Sequence, residues 1–444
     1  MTAPAIWFER DTPHLAIARR TLPCGLDVIV HRDDSAPMAC VSVWYRAGSS
    51  DERADRTGLA HLFEHLFKNS LHMPAKHYEV LRTAGATDAN ASTSSDRTAY
   101  HEVVPAHELG LALWLESDRM GYFVGADANA LAGLSERLAT QQAVVRSERR
   151  QRYEDVPYGA ERFAVAAAMY PDGHPARHLT IGLHEHIAAA TVDDILAFYR
   201  TWYVPANATL VIAGDVGDPA AVDALVDRYF GSFPASARPT RPQPAQPRLD
   251  APVRALIDDR FATLPRIHRA WHGPPASAAG EAELDILTTA WAQVGTGALW
   301  KRLVYDTQLA QRVSAWTSNT RLGGEVHVTV DLRPGSDPAR VRDILDAEVA
   351  RAVDGAAIER AITRREAGTV WGLTSLVRRA QLVQRHVLYR DEPDGLAAEL
   401  ARYRAVTPAA IDAARARWLD PARMIEVETV PRAAAAAGTT LAAS

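Results

Sequence analysis

Residues 58–67 read Gly58-Leu-Ala-His-Leu-Phe-Glu-His-Leu-Phe67, and their spacing predicts an amphipathic helix of three or four turns. His61 and His65 are four residues apart, so their imidazoles lie one turn apart on one face, with Glu64 beside them. The other face carries apolar side chains at helical spacing: Leu59, Leu62, Phe63, Leu66 and Phe67.

Two neutral imidazoles held one turn apart are a suitable pair of zinc ligands, and a carboxylate beside them can accept a proton from an attacking water. The pattern His-x-x-Glu-His is the inverted form of a zinc-hydrolase motif. The alternative is an amphipathic helix whose histidines face water, and the separate apolar face favours the metal site. A third protein ligand is needed. Spacing alone does not choose among the downstream candidates Glu102, Glu108, Glu116, Glu136, Glu148 and Glu154.

Other segments of the first half extend this pattern. They are Gly85 with Asn90-Ala-Ser-Thr93, Asp96-Arg-Thr98 with Tyr100, Trp114-Leu-Glu-Ser-Asp-Arg-Met120, Val144-Val-Arg-Ser-Glu-Arg-Arg150, Val156-Pro-Tyr-Gly159 and Phe198-Tyr-Arg-Thr-Trp-Tyr-Val-Pro-Ala-Asn207. In this order they resemble the pitrilysin and insulinase family of inverted-motif zinc peptidases, in a bacterial branch similar to the mitochondrial processing peptidase. The resemblance is to the zinc-bearing subunit.

The resemblance implies roles for particular residues. Glu148, in a Val-x-x-Glu segment, becomes the third ligand of one zinc ion per chain, with Glu136 as the alternative, and Glu64 becomes the general base. Asn90, Ala91 and Ser92 resemble the edge strand that holds an extended peptide, which fits strand addition because it pairs with any peptide backbone. A short polar strand packed under the helix is an equally good interpretation of these three residues. Glu116 is a candidate to orient a ligand histidine, or else an ordinary structural ion-pair residue.

The second half departs from the family pattern. Members active as a single chain usually carry an Arg and a Tyr there, in the order Arg-x6-Tyr, which bind substrate and steady the transition state. The corresponding stretch is 299–313, and Leu309-Ala310 as an anchor places Val304 and Gln311 at the two positions. Valine has no charge and glutamine has no phenol. We therefore expect a homologous partner subunit to supply the pair in a heterodimer, and weak activity from the chain alone.

An internal repeat divides the chain. Thr191, Ile195, Trp202, Pro205 and Ala206 recur at one constant offset as Thr407, Ile411, Trp418, Pro421 and Ala422, each series leading into an apolar, strand-like run. A proline-rich stretch separates the copies and is expected to be a semi-rigid linker. The sequence thus predicts a zinc-bearing catalytic half (1–232), a linker (233–250), a homologous non-catalytic half (251–432) and a disordered tail (433–444). The second half is expected to close a chamber over the peptide.

Each half mixes β-branched strands with longer helices. Strands are predicted at Leu26 to His31 and Cys40 to Tyr45, and helices at Pro74 to Ala84, His107 to Met120 and Ala128 to Tyr153. We predict an α+β fold of two homologous sandwich halves, each a largely antiparallel sheet with helices on one face, as the resemblance also implies.

Composition excludes several classes of function. The chain has 444 residues and a net charge of −5, from 49 basic and 54 acidic side chains, which gives no basic excess for nucleic acid. No apolar run is long enough to cross a bilayer, and no secretory signal is visible. Cys24 and Cys40 suit free thiols in a reducing cytosol, so we expect a cytoplasmic protein.

The sequence leads us to expect a zinc-dependent endopeptidase that cleaves peptides or processes a leader or precursor peptide. The alternative is a non-catalytic scaffold or binding subunit with a peptidase fold. The complete set His61, Glu64, His65 and Glu148 favours the enzyme, whereas the missing Arg/Tyr pair keeps the scaffold open.

Overall fold

A computed structural model describes residues 5–10, 12–73, 76–124 and 133–432 of the chain. The strands of this part are β1 Ile6–Glu9, β2 Thr12–Leu15, β3 Ala18–Thr21, β4 Asp27–Arg32, β5 Met38–Tyr45, β6 Asp88–Thr93, β7 Thr98–Pro105, β8 Ala208–Gly214, β9 Val253–Asp259, β10 Arg266–Gly273, β11 Ala310–Asn319, β12 Gly324–Leu332 and β13 Ile425–Pro431.

The helices of the same residues surround these strands. They are α1 Leu59–Leu66, α2 His77–Thr83, α3 Leu109–Met120, α4 Leu134–Arg149, α5 Gly159–Met169, α6 His184–Ala189, α7 Val192–Trp202, α8 Pro219–Phe230, α9 Glu281–Ala292, α10 Ala298–Trp300, α11 Pro338–Ala350, α12 Gly355–Gly372, α13 Leu376–Arg390, α14 Leu396–Arg404 and α15 Pro408–Trp418. Two π-helical segments, Arg150–Glu154 and Lys301–Asp306, continue α4 and α10. Short 3₁₀ turns cover Ser49–Asp51, Ala106–Glu108, Pro205–Asn207 and Pro421–Arg423.

The strands form two main sheets with matching topology. The first has the order β3-β4-β8-β5-β7-β6 and the second the order β11-β12-β10-β13-β9, while β1 and β2 make a separate hairpin. Each main sheet is antiparallel except for one parallel pair, β4 with β8 and β9 with β13. The predicted α+β class with two antiparallel-rich halves is confirmed.

The internal repeat corresponds to a repeated structural unit. Thr191 caps α7 and Thr407 caps α15, and each helix ends at the repeated tryptophan. A 3₁₀ turn beginning with the repeated proline follows in both copies and leads into β8 or β13. Both of these strands are interior strands, paired on both sides, and β8 is fully buried and β13 largely buried, which explains why the run after each turn is apolar.

The two halves exchange helices across their sheets. Helix α13 of the second half packs on the face of the first sheet that is turned away from α1, through side chains such as Val383 and Val387 against Ile29 and Val211. Helix α5 of the first half covers the second sheet in the same way, through Val165 and neighbouring apolar residues. Each sheet therefore buries both faces, one against its own helices and one against the other half. The sequence did not reveal this exchange.

Several predicted elements can be compared with the structure. Strands β4 and β5 lie where they were predicted. The helix at the His-x-x-Glu-His motif is shorter than expected: α1 has 8 residues, just over two turns, because the chain turns after Leu66. The predicted helix starts at Pro74 and Ala128, and the predicted tail at 433–444, lie outside the described residues.

Residues 233–250 contain no helix or strand. The Arg241 guanidinium within this stretch contacts the buried carboxylate of Asp51 at 2.6 Å, which ties the stretch to the first half. Among the described helices, none combines the length and apolarity that crossing a bilayer requires.

Candidate metal centre

Helix α1 is fixed at its N-terminal end by a carboxylate. Gly58 precedes the helix with φ 91°, a conformation that favours glycine. The backbone N–H groups of Gly58 and Ala60 donate to the two oxygens of Glu52, both at 2.8 Å. Glu52 is buried and also contacts the His178 Nε2 atom at 2.9 Å. A carboxylate here satisfies free helix N–H groups and complements the helix dipole. Sequence analysis missed Glu52, since it lies six residues before Gly58, outside the usual capping window.

The other end of α1 is held by a buried polar bridge. The His77 imidazole contacts the Phe67 carbonyl oxygen through Nδ1 at 3.2 Å and the Asp118 carboxylate through Nε2 at 2.9 Å. Asp118 belongs to α3 and His77 begins α2, so three helices meet at this point. With the apolar face of α1 buried in the first core, the motif helix is fixed in position and rotation.

Three side chains converge on the polar face of α1. The Nε2 atoms of His61 and His65 lie 3.8 and 3.3 Å from the Oε2 atom of Glu148, which is near the end of α4. Ligand atoms bound about 2.0–2.1 Å from a tetrahedral zinc ion lie about 3.4 Å from one another. The two imidazoles and one carboxylate therefore fit zinc in both chemistry and spacing.

The protonation states of these groups suit metal binding. Burial lowers the pKa of His61 below its usual value, which favours the neutral imidazole. A hydrogen bond from His65, stronger than the opposing effect of burial, lowers the pKa of Glu148 to about 2. A neutral imidazole and an ionised carboxylate are the forms that bind zinc.

Glu64 stands beside this group with other partners. Its Oε2 atom accepts a hydrogen bond of 2.7 Å from the Thr93 hydroxyl, and its Oε1 atom lies 3.5 Å from the Lys68 ammonium. The ligand atoms of His61, Glu64 and His65 all lie within 4.8 Å of one another. Because the Glu148 oxygen touches both imidazoles while Glu64 is held by Thr93 and Lys68, we assign Glu148 to the ligand set and Glu64 to proton transfer.

A cavity of about 310 Å³ opens over these residues. Its lining comes from the first half: His61, Glu64, His65, Lys68, Asn90, Ala91, Ser92, Thr93, Glu148, Arg152, Tyr153, Thr180 and Ile181. No described residue of the second half is in this lining, and the expectation that the second half closes a chamber over the peptide stays a prediction.

Strand β6, which carries Asn90, Ala91 and Ser92, borders this cavity as the edge strand of the first sheet. Within the described residues, one side of β6 pairs with β7 and the other side pairs with no strand. Both interpretations of the sequence, a peptide-binding edge and a polar strand packed against α1, agree with this position, so peptide binding stays a prediction.

Two of the predicted site residues lie apart from the metal ligands. Glu116 is fully buried, and its carboxylate accepts hydrogen bonds of 3.1 and 3.2 Å from Arg119. Arg119 in turn donates to the Phe67 carbonyl oxygen, so Glu116 acts on the end of α1, which fits the alternative of a structural ion-pair residue. Glu136 is exposed at the start of α4, about 18 Å along the helix from Glu148, which rules it out as the third ligand.

The two positions that depart from the family pattern lie in the second half. Val304 is in the second π-helical segment and packs against the second core, and Gln311 is exposed on β11. Neither residue lines the metal cavity. In the described part of the second half there is also no cluster of three potential metal ligands.

Comparison with known proteins agrees with this fold of two halves, one of which carries the cluster of potential metal ligands. Residues 27–124 match the family model described as Insulinase (Peptidase family M16), and residues 189–364 match the model described as Peptidase M16 inactive domain. The chain belongs to peptidase family M16, the insulinase family.

The individual relatives have low sequence identity to this chain. The chain is 27% identical to the zinc protease PqqE of Helicobacter pylori over 69% of its own length and 67% of that protein. It is 30% identical to an uncharacterized zinc protease of Mycobacterium bovis over 56% of this chain, and this match spans about half (55%) of the relative. The crystal structure of a protease from Helicobacter pylori has a TM-score of 0.84 at 21% identity, covering 94% of this chain and 100% of that one. At this identity the likeness establishes the shared fold.

Proposed function

We propose that the chain is a zinc-dependent endopeptidase that cleaves peptides or processes a leader or precursor peptide. One zinc ion would be held by His61, His65 and Glu148. The observation that carries the proposal is that both imidazole Nε2 atoms meet one Glu148 oxygen at 3.3–3.8 Å inside a cavity bordered by an edge strand.

When bound, zinc would lower the pKa of a water molecule and polarise the scissile carbonyl group. Glu64 would accept the proton of the attacking water on its carboxylate and later donate it to the leaving amine, as general base and then general acid. The Thr93 hydroxyl fixes one oxygen of Glu64 and leaves the Oε1 side, next to Lys68, for proton transfer.

The peptide would bind in extended form along β6. Strand addition uses backbone groups, so it accepts many sequences and places a peptide bond at a fixed distance from the strand. Asn90, Ala91 and Ser92 line the same cavity as the metal ligands, so a peptide added to this edge would pass over them.

A homologous partner subunit would complete the site. Val304 and Gln311 supply neither a cation nor a phenol, and the described lining of the cavity comes from one half of one chain. A partner that provides an Arg/Tyr pair would occupy the open side of the cavity. The proposal also includes a cytoplasmic location, which suits the free buried thiols of Cys24 and Cys40.

A second candidate function is a non-catalytic scaffold or binding subunit. It is favoured by the loss of the Arg/Tyr pair and by the match of residues 189–364 to a model described as an inactive domain. The complete donor set in the first half is the argument against it, since a scaffold has no use for His61, Glu64, His65 and Glu148 together.

Metal analysis combined with peptide cleavage tests the proposal. Purified chain and Glu64→Gln should each bind about one zinc ion, because Glu64 is not assigned as a ligand. Cleavage should increase when a homologous subunit carrying Arg-x6-Tyr is added, and should disappear in Glu64→Gln. Lack of zinc and of cleavage, even with that subunit present, would support the scaffold instead.

A further inference from the structure

The carboxylate of Glu148 has different partners at its two oxygens. Oε2 faces His65 and His61, whereas Oε1 lies 2.7 Å from the Nη1 atom of Arg152. The Glu148 side chain is 15% exposed and the Arg152 side chain is 71% exposed. The guanidinium therefore lies on the solvent-facing side of the carboxylate. Both Arg152 and Glu148 line the cavity.

The backbone that carries Arg152 is held in place. Residues 150–154 form a π-helical turn in which the Asp155 N–H donates to the Arg150 carbonyl oxygen at 2.7 Å. The turn is clamped by the Arg149 guanidinium, which contacts Glu154 at 2.7 Å, and by His184, which contacts the other Glu154 oxygen at 3.0 Å. Short π-helical segments inside helices often mark functional sites.

The two acidic residues of the centre have separate cationic partners. Lys68 pairs with Glu64, and Arg152 pairs with Glu148, in both cases four residues further along a helical segment. In the described part of the chain, Arg152 makes no other ion pair and no other cation touches Glu148. Arg152 is therefore the cationic group among the described residues that can hold the outer oxygen of the ligand carboxylate.

We propose that Arg152 is a positioning residue that fixes Glu148 for zinc binding. This inference rests on the proposed function of the site as a zinc centre. By holding Oε1, Arg152 keeps the carboxylate turned so that Oε2 points toward His61 and His65. A guanidinium is suited to this because its charge is permanent and its N–H donors have fixed directions. When a side chain that hydrogen-bonds to a metal ligand without touching the metal is removed, metal affinity typically falls about 10- to 100-fold.

The test is the zinc affinity of the full chain, measured by competition with a chromophoric chelator. Arg152→Met keeps an unbranched apolar stem but removes the charge and the N–H donors, so zinc should dissociate about 10- to 100-fold more readily. Arg152→Lys restores a cation and should recover much of the affinity. The visible spectrum of Co²⁺ in place of zinc should also change in Arg152→Met, because it reports the arrangement of ligands.

The matched control is Arg150→Met. Arg150 is exposed in the same π-helical turn, and its side chain makes no ion pair among the described residues. This variant loses the same charge at nearly the same place, so its zinc affinity should stay within about twofold of the unchanged chain. Circular dichroism of each metal-free variant shows whether the fold is retained.

The inference is overturned if Arg152→Met binds zinc within about twofold of the unchanged chain, or if Arg150→Met weakens binding equally. These results are separate from those that decide the proposed function. Zinc binding that depends on Arg152 without any peptide cleavage would remove the peptidase and leave the positioning role. If cleavage depends on Glu64 but zinc affinity does not depend on Arg152, the proposed peptidase function stands and the positioning role of Arg152 is overturned.

Discussion

Helices α1 and α9 occupy equivalent places in the two halves, each packed beside the edge strand of its sheet, β6 or β11. Both begin after a glycine with positive φ, 91° at Gly58 and 98° at Gly280. In α9 the polar groups are paired within the protein: Asp285 accepts hydrogen bonds from Tyr403 at 2.5 Å and from Thr317, and Glu281 contacts Arg402 at 2.7 Å.

In α1 the polar groups are less completely paired. The two imidazoles and Glu148 face a shared centre, and the buried Nδ1 atom of His61 has no partner among the described residues. The same sheet topology therefore carries a helix whose metal-binding groups are less completely paired in one half and a helix with paired polar groups in the other. Charged groups already paired by the protein have little left to offer a metal ion, whereas convergent donors without a central partner can bind one.

The strongest test of this comparison is to remove a histidine from each half. His65→Ala should reduce zinc from about one ion per chain to near zero, because two ligands cannot hold the ion as three do. His386→Ala should keep the zinc, but it should lower the free energy of unfolding by about 2–3 kcal/mol, because His386 and Glu399 form a buried pair at 2.8 Å. Metal analysis and urea unfolding measure the two effects. Loss of zinc in His386→Ala would contradict the division of roles.

The pH dependence of the free energy of unfolding compares the buried carboxylates that stabilise each half. Burial opposes ionisation of Asp118, but hydrogen bonds from His77, Ser70 and His72 lower its pKa from 3.8 to about 2. The ionised form thus stabilises the fold above about pH 4, and this contribution should be lost as the pH falls through 2. We expect a loss of about 1–2 kcal/mol that is absent in Asp118→Asn.

The second-half counterpart is Glu399. Burial opposes its ionisation too, but His386 and Arg385 hold the pKa of Glu399 well below its usual value. Urea unfolding of Asp118→Asn and Glu399→Gln between about pH 5 and 2.5 separates the two contributions. If Asp118→Asn loses stability with acid as steeply as the unchanged chain does, Asp118 is not the group responsible.

The smallest expected effects come from two threonines on the edge strands. Thr93 donates to Glu64 of α1, and Thr317 donates to Asp285 of α9. Thr93→Val should lower kcat/KM for peptide cleavage about 3- to 30-fold and leave zinc binding unchanged, because it removes a hydrogen bond to the general base. Thr317→Val should cost about 1 kcal/mol of stability and leave cleavage unchanged.

Kinetics and urea unfolding measure these two variants side by side. Unchanged cleavage in Thr93→Val would show that Glu64 needs no support from β6. A loss of cleavage in Thr317→Val would show that the second half contributes to catalysis.

Local patterns explain what could be predicted. The four-residue spacing of His61 and His65 and the apolar stripe beside them predicted a helix, and helical geometry puts both imidazoles on one face. The repeated series that includes Trp202 and Trp418 predicted two copies of one unit, because a helix cap, a helix, a proline turn and a strand are all encoded within about 25 residues. The family resemblance, not spacing, pointed to Glu148.

Contacts between segments far apart in the sequence explain the features that the sequence did not predict. The length of α1 was overestimated because its end depends on the bridge from Phe67 through His77 to Asp118. The anchor at Glu52 is a local residue, but its side chain acts on α1 only because the chain folds back. The sequence leaves two roles open for Glu116, and its hydrogen bonds from Arg119, which is also buried, fit the structural ion pair.

The sequence by itself determined the fold class, the repeated unit and the side chains on the polar face of α1, since periodicity and turn residues act over a few positions. Tertiary structure decided which carboxylate meets the two imidazoles, which cations stand behind the carboxylates, and that α5 and α13 cross over to the opposite sheets. It also decided that the lining of the cavity comes from the first half. These outcomes depend on how segments far apart in sequence pack together, and packing free energies sum over many weak contacts that no local pattern contains.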